Sequence, residues 1–220
     1  MGRTRPPGLK RPLTATVKVG YREIVSIILL SGAFWLAVLP IFTSGAAVLS
    51  LAASMRSIYD GTAPSGERAR LRAFAGGVRS SVVRGLPITA ILVVTVGNTV
   101  AYTLLGIAGQ VPEFLLAGLA GLYLCLLVTV FVSRVAHLEA DAGDGLLAAT
   151  RATLRSWRAH PHVAVVHLTI VALCGVVSFA FPVFLLFLLP GGAMLLEITS
   201  HTELRGENPT QVLSRYRMPA

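Results

Sequence analysis

The nineteen lysine and arginine residues of this 220-residue chain gather in four segments, and long apolar runs separate them. Six lie in 1–23, six in 56–86, four in 133–162 and three in 201–220. The apolar runs are 24–42, 45–55, 87–107, 114–132 and 163–196. In a membrane protein, basic residues mark the cytoplasmic loops and face anionic headgroups. If all four basic segments share one compartment, the chain crosses the bilayer an even number of times between them.

Composition supports the lipid setting. The chain is 54% apolar and 13% charged, with mean hydropathy +0.73, against about 25% charged residues in soluble domains. The apolar runs are spread evenly, which points to a single membrane domain, 1–220. A net charge of +9 would suit nucleic acid in a soluble protein. No recognition-helix or RNA-binding signature accompanies it, so the expected partner is a bilayer with anionic headgroups and not nucleic acid. Cys125 and Cys174 sit inside apolar runs without CxxC spacing, which predicts packing and neither redox nor zinc chemistry.

Run lengths then set the number of passages. As one helix the last run, 163–196, would be about 50 Å long, against a hydrocarbon core of about 30 Å. It is expected to fold near Pro182 into two antiparallel helices. The second run is short, but 43–59 reaches the lower limit for a span if Arg56 snorkels and Tyr59 sits at the interface. Without that passage, the six arginines of 56–86 would fall on the far side. The basic 1–22 stretch before an apolar run also has the look of a secretory signal, with Ser44-Gly45-Ala46 as a cleavage site. The run 24–42 is longer than a signal core, and no cleavage is expected.

Two of the basic segments have helical periodicity. Leu71, Phe74, Val78 and Val82 recur at helical spacing in 67–86, and Leu147, Leu154 and Trp157 do so in 144–159. Asp141 or Asp144 is placed to cap the second. Both are expected to lie in the headgroup layer. Arg84 and Pro87 recur with the same spacing as Arg158 and Pro161, which hints at a repeat of amphipathic helix plus hairpin. The expected fold is therefore an all-α polytopic membrane bundle. It has about six transmembrane helices in three hairpins and two interfacial amphipathic helices. Its parts are a basic N-terminal segment (1–22, helical only near Tyr21), a hairpin (24–59), two units of amphipathic helix plus hairpin (67–133 and 144–200) and a tail (201–220). Both termini are expected in the cytoplasm, on the inner face of the cell membrane.

The bend of the first hairpin carries the most distinctive motif: Leu39, Pro40, Thr43, Gly45 and Ala47. Pro40 donates no backbone hydrogen bond and disfavours helix at Leu39. Thr43 or Ser44 is placed to cap the next helix, and Gly45, Ala46 and Ala47 allow close backbone approach. This turn, the aromatic-rich run before it, the Ile58-Tyr59 step and the basic segment from Leu71 to Arg84 resemble the YesL-like family of small membrane proteins of unknown function. The resemblance is best over 20–90. It implies at most a supporting role in carbohydrate uptake, and it lends no catalytic residues.

Ionisable residues in or beside spans are the candidate functional groups. His167 and Glu197 lie equally far along the chain from Pro182, at equal depth in an antiparallel hairpin, and form a speculative polar pair. Thr95 and Asn98 are placed for hydrogen bonds between helices. His137, Glu139, Asp141 and Asp144 match no metal motif and read as a solvated helix end, and His160 and His162 lack a third ligand. Nucleophile elbow, phosphate loop, HExxH and dinucleotide fingerprints are missing from the sequence, so no catalytic residue, cofactor or metal is expected. The leading expectation is a non-enzymatic accessory or regulator of solute uptake that works with other membrane proteins or with itself. A small oligomeric transporter is the alternative, and an intramembrane enzyme the third.

Overall fold

The computed structural model describes residues 10–209, with backbone alone at 10, 178–180 and 184–186. The cations Arg3, Arg5, Arg215 and Arg217 lie outside the described residues. Helices make up the described chain, and no strand forms within it. In order these are α1 (Lys10–Arg22), α2 (Ile24–Val38), a 3-10 turn (Ile41–Thr43), α3 (Ser44–Asp60), α4 (Glu67–Gly109), α5 (Pro112–Ala142), α6 (Leu146–Ala159), α7 (Pro161–Ala180), α8 (Pro182–Phe187) and α9 (Leu189–Leu204). Three helical segments, Ile41–Asp60, α4 and α5, are long and apolar enough to cross a membrane. The number is five if two bent pairs, α1 with α2 and α6 with α7, each count as one.

The N-terminal segment is helical from Lys10, well before Tyr21. Pro12 falls in the first turn, where its missing N–H loses nothing. Ala15 and Val19 are buried where α1 packs on α9. Leu13, Val17 and Tyr21 face outward, beside exposed Arg11, Lys18 and Arg22. The helix then turns through 88° into α2.

α3 is the interior helix. Ala46, Ala47, Leu49, Leu51, Ala52, Met55, Ile58 and Tyr59 are all buried, against α2, α4, α5 and α9. Its closest neighbour is α4. A Cβ on Gly45 would stand 2.1 Å from the Gly85 carbonyl oxygen, and one on Gly85 would stand 2.4 Å from the Ala46 nitrogen. Two helices of L-residues meet this closely only where both carry glycine. The small residues of the turn motif therefore serve the contact between α3 and α4.

That contact explains a correction. The segment 67–86 is not a separate interfacial helix: α4 runs unbroken for 43 residues with Pro87 inside it, about 65 Å in length. Proline removes one backbone hydrogen bond and normally marks a boundary. Here Phe74 is buried, Leu71 and Val78 are packed on the core, and the flanking turns at Gly85 and Thr89 are clamped to α3. The second amphipathic segment behaves otherwise, because α6 turns through 102° into α7. Pro87 and Pro161 thus stand in different structural settings, and the proposed repeat fails.

α4 and α5 form an antiparallel hairpin closed by small residues. A Cβ on Gly118 would meet Thr103 Oγ1 at 2.5 Å, and one on Gly121 would meet Thr99 Oγ1 at 2.6 Å. The outer part of this hairpin exposes Val94, Val100, Leu104, Leu116, Leu119 and Leu124. After α7 the chain breaks at Phe181 and again at Leu188. The second half of the 163–196 run is thus the short α8 followed by α9 and not one continuous helix, because Pro182 and Pro190 each lack a donor N–H.

Candidate functional site

The titratable groups that the sequence scattered along four segments converge in the structure. At the centre is Glu197 of α9, 1% exposed. One carboxylate oxygen, Oε1, accepts from Nη1 of Arg134 on α5. The other, Oε2, lies 2.5 Å from Nδ1 of His167 on α7. Arg134 is 3% exposed, and its Nη2 donates to Ser156 Oγ on α6 at 2.8 Å. Three helices are therefore tied at one carboxylate, and α6 joins them through Arg134. Charge-assisted bonds of this kind are stronger than neutral ones, and they offset part of the cost of taking a charged pair out of water. The Nδ1 contact leaves His167 Nε2 buried without a partner among the described residues.

A second bridge lies two turns along α5. Asp141 takes Arg56 Nη2 of α3 at 2.8 Å and also binds Arg205 beyond α9. Arg56 holds Asp60 at 2.7 Å as well. Arg84 of α4 binds Glu139 at 2.6 Å. Arg70 of α4 binds Glu23 at 2.7 Å, while Ser26 of α2 donates to Glu67 at 3.0 Å. Arg11 reaches Glu203 at 4.0 Å. The expected solvated helix end is overturned at His137, Glu139 and Asp141, while Asp144 is exposed. His137 and Glu139 are buried, and the Asp141 side chain is only 9% exposed. These groups lie under α3 and α9, which cover the end of α5.

His137 stacks edge-on against His201, with ring centroids 5.0 Å apart. Both His137 nitrogens are buried without a hydrogen bond among the described residues. Burial, reinforced by His137, Arg134 and Arg205, pushes the His201 pKa down to about 3, against the weaker pull of Glu197. Among the described residues no group of three metal-ligating side chains forms.

The turn motif does structural work by a route different from the expected one. Neither α3 nor α6 has a side-chain cap. Thr43 Oγ1 instead donates back to the Ala37 carbonyl, locking the turn onto α2. Gly45 N–H donates to Thr89 Oγ1 at 2.9 Å. Leu39 is 74% exposed, Pro40 is exposed, and Ala47 is buried. The motif and the His167–Glu197 pair are therefore separate features. Thr95 bonds within its own helix, to the Ile91 carbonyl at 2.7 Å. An apolar cavity of about 530 Å³ lies between α2, α3, α4, α5, α7 and α9, with Trp35, Leu92, Val132, Val171 and Met194 on its wall.

No family model, curated protein or solved structure matches the chain. The site therefore rests on its own geometry. Arg134, Ser156 and Arg205 were not among the residues the sequence singled out as candidates. The one sequence signal for Arg134 is its setting between apolar Val132 and Val135, where an arginine needs a partner.

Proposed function

We propose that this chain is a multi-pass protein of the cell membrane with both termini in the cytoplasm. In this reading it is a non-enzymatic accessory or regulatory component of solute uptake, with carbohydrate as the solute class. The ion-paired layer is the observation that supports it. Glu23 precedes the 24–59 hairpin, Arg70 follows it in the first turn of α4, and the two touch. Arg84 and Glu139 flank the apolar part of the α4–α5 hairpin, 87–132, and pair, and Asp141 and Arg205 flank the last apolar run and pair. Each apolar excursion is closed by an ion pair between residues that flank it. In this reading the number of passages is even, six if α8 and α9 together make the last as a broken helix, with the cations on the inner side.

The acids and bases of the layer are spent on one another. Glu197, Asp141 and Glu139 each hold at least one guanidinium. Such a layer braces helices and sets their relative positions, as an accessory subunit requires. The cavity between the helices has an apolar wall, which gives little support to a polar transport path. Membership in the YesL-like family belongs to the same proposal. α6 lies across α7 with Arg151, Arg155 and Arg158 beside exposed Leu147 and Leu154, and this suits an anionic headgroup layer.

Cysteine accessibility tests the topology. On a C125A/C174A background, S65C and S80C are expected to resist an impermeant maleimide in whole cells, and E113C to react. Labelling of S65C from outside would overturn the topology. The role is tested by sugar uptake in cells lacking the protein. Reduced flux that needs a separate permease supports it. Flux through the purified protein alone in proteoliposomes would overturn it in favour of a transporter.

A further inference from the structure

Asn98 is the residue on α4 that the monomer leaves unexplained. It lies midway between Pro87 and Gly109, about 16 Å from either end of the apolar half of the helix. That is the middle of a hydrocarbon core of about 30 Å. Its side chain is exposed, and among the described residues it has no hydrogen-bond partner. A primary amide facing lipid forfeits the bonds it made with water.

Gly97 is the independent second observation. The close-packed glycines of this hairpin and of α3 are explained by neighbouring atoms 2.1 to 2.8 Å from a would-be Cβ. A Cβ on Gly97 would meet nothing within 4 Å. A mid-helix glycine weakens the helix relative to alanine, and here no intrachain contact offsets that. Ala90, Val94, Gly97 and Ala101 are all exposed and share one face of α4 at the spacing i, i+4, i+7, i+11. Gly97 also borders the apolar cavity beside Val93 and Val96, whereas Ala90, Val94, Asn98 and Ala101 stand outside it. Gly97-x-x-x-Ala101 is the small-residue pattern that lets two membrane helices approach to backbone contact.

We propose that this face of α4 is the interface of a homodimer, with Asn98 of each copy bonded across it to its counterpart. The occupant is a second copy because the carboxamide is both donor and acceptor. A two-fold axis sets such a group against itself, donor to acceptor in both directions. The arrangement goes beyond the accessory role and rests only on 90–107 being embedded in lipid.

The experiment uses the full chain reconstituted in liposomes over a range of protein-to-lipid ratios, with single-molecule photobleaching to count copies. The wild type is expected to dimerise. N98V, which suits lipid, and G97L, which blocks close approach, are each expected to weaken dimerisation about tenfold, and N98Q to retain it. On the C125A/C174A background, N98C is expected to form an oxidant-induced disulfide between two differently tagged copies in native membranes. A wild type that is monomeric at every ratio would overturn the inference. So would N98V and G97L dimerising as well as the wild type, or N98C linking only to other proteins. Release of the protein from membranes by alkaline carbonate would sink the lipid reading itself; a monomer retained in the bilayer sinks only the pairing.

Discussion

Gly45 and Gly85 press their backbones together so closely that a methyl group on Gly45 would stand 2.1 Å from the Gly85 carbonyl oxygen. The obstacle is main chain on both sides, so no rotamer change relieves it. Thr89 Oγ1 accepts from the Gly45 N–H at 2.9 Å in the same contact. This pair sets the register of α3 on α4 and carries α4 straight through Pro87.

Replacing either glycine by alanine is therefore expected to lower stability by about 2 to 3 kcal/mol or more, the cost of overpacking where the neighbour cannot move. G76A, where a Cβ has open space, is the control and is expected to be neutral or stabilising. Thermal unfolding in detergent micelles measures both. Equal melting temperatures for G45A and G76A would show that the two helices do not meet this way.

The Arg134–Glu197–His167 cluster predicts an asymmetry between single and double variants. E197L leaves Arg134, 3% exposed, as a buried unpaired charge, at a cost of about 3 to 5 kcal/mol. The double variant R134M/E197L removes both charges and is expected to recover most of that loss. H167N, which leaves the Arg134–Glu197 pair intact, is expected to be milder than E197L. The check is a double-mutant cycle on unfolding free energies. Additive losses would mean that the two groups do not interact.

Asp141 joins Arg56 on α3 to Arg205 after α9. D141N removes the charge that both guanidiniums share and is expected to loosen the chain beyond α9. Limited proteolysis of the intact protein reads this directly. Cleavage near Arg205 is expected to accelerate in D141N while the α4–α5 hairpin stays protected. D144N is the control, because Asp144 is exposed and holds no such bridge among the described residues.

Residues far apart in the chain differ in how plainly the sequence announced them. His167 and Glu197 could be paired because Pro182 lies midway between them, so a hairpin bend alone equalises their depth. Glu197's partnership with Arg134 was hidden, because it joins residues 63 apart on elements with no common symmetry. The helical class and the apolar helices follow from run length and composition. Pro87 misled because local chemistry favours a break there, and only the clamp of Gly85 and Thr89 on α3 prevents it. α1 hid behind its prolines, although Ala15 and Val19 at i, i+4 already marked an inner face. The break at Leu188 had a local mark in Pro190-Gly191-Gly192, but a single bend at Pro182 already accounted for the length of the run.

His201, beyond the 163–196 apolar run, supplies a pH dependence of definite sign. Its folded pKa of about 3 lies below the usual value of about 6.5. Above pH 6.5 both folded and unfolded chains hold it neutral, and its contribution is complete. As pH falls below 6.5, the unfolded chain takes up a proton that the fold refuses. Stability then drops by up to about 1.4 kcal/mol per pH unit until the folded pKa is reached. The groups facing it are His137, Arg134, Arg205 and Glu197, and of these the two arginines keep their charge throughout. Melting temperatures at pH 7.5, 6.5, 5.5 and 4.5 are expected to fall more steeply in wild type than in H201Q, which cannot bind the proton. Parallel curves for the two proteins would show that the His201 ring reaches water and titrates normally.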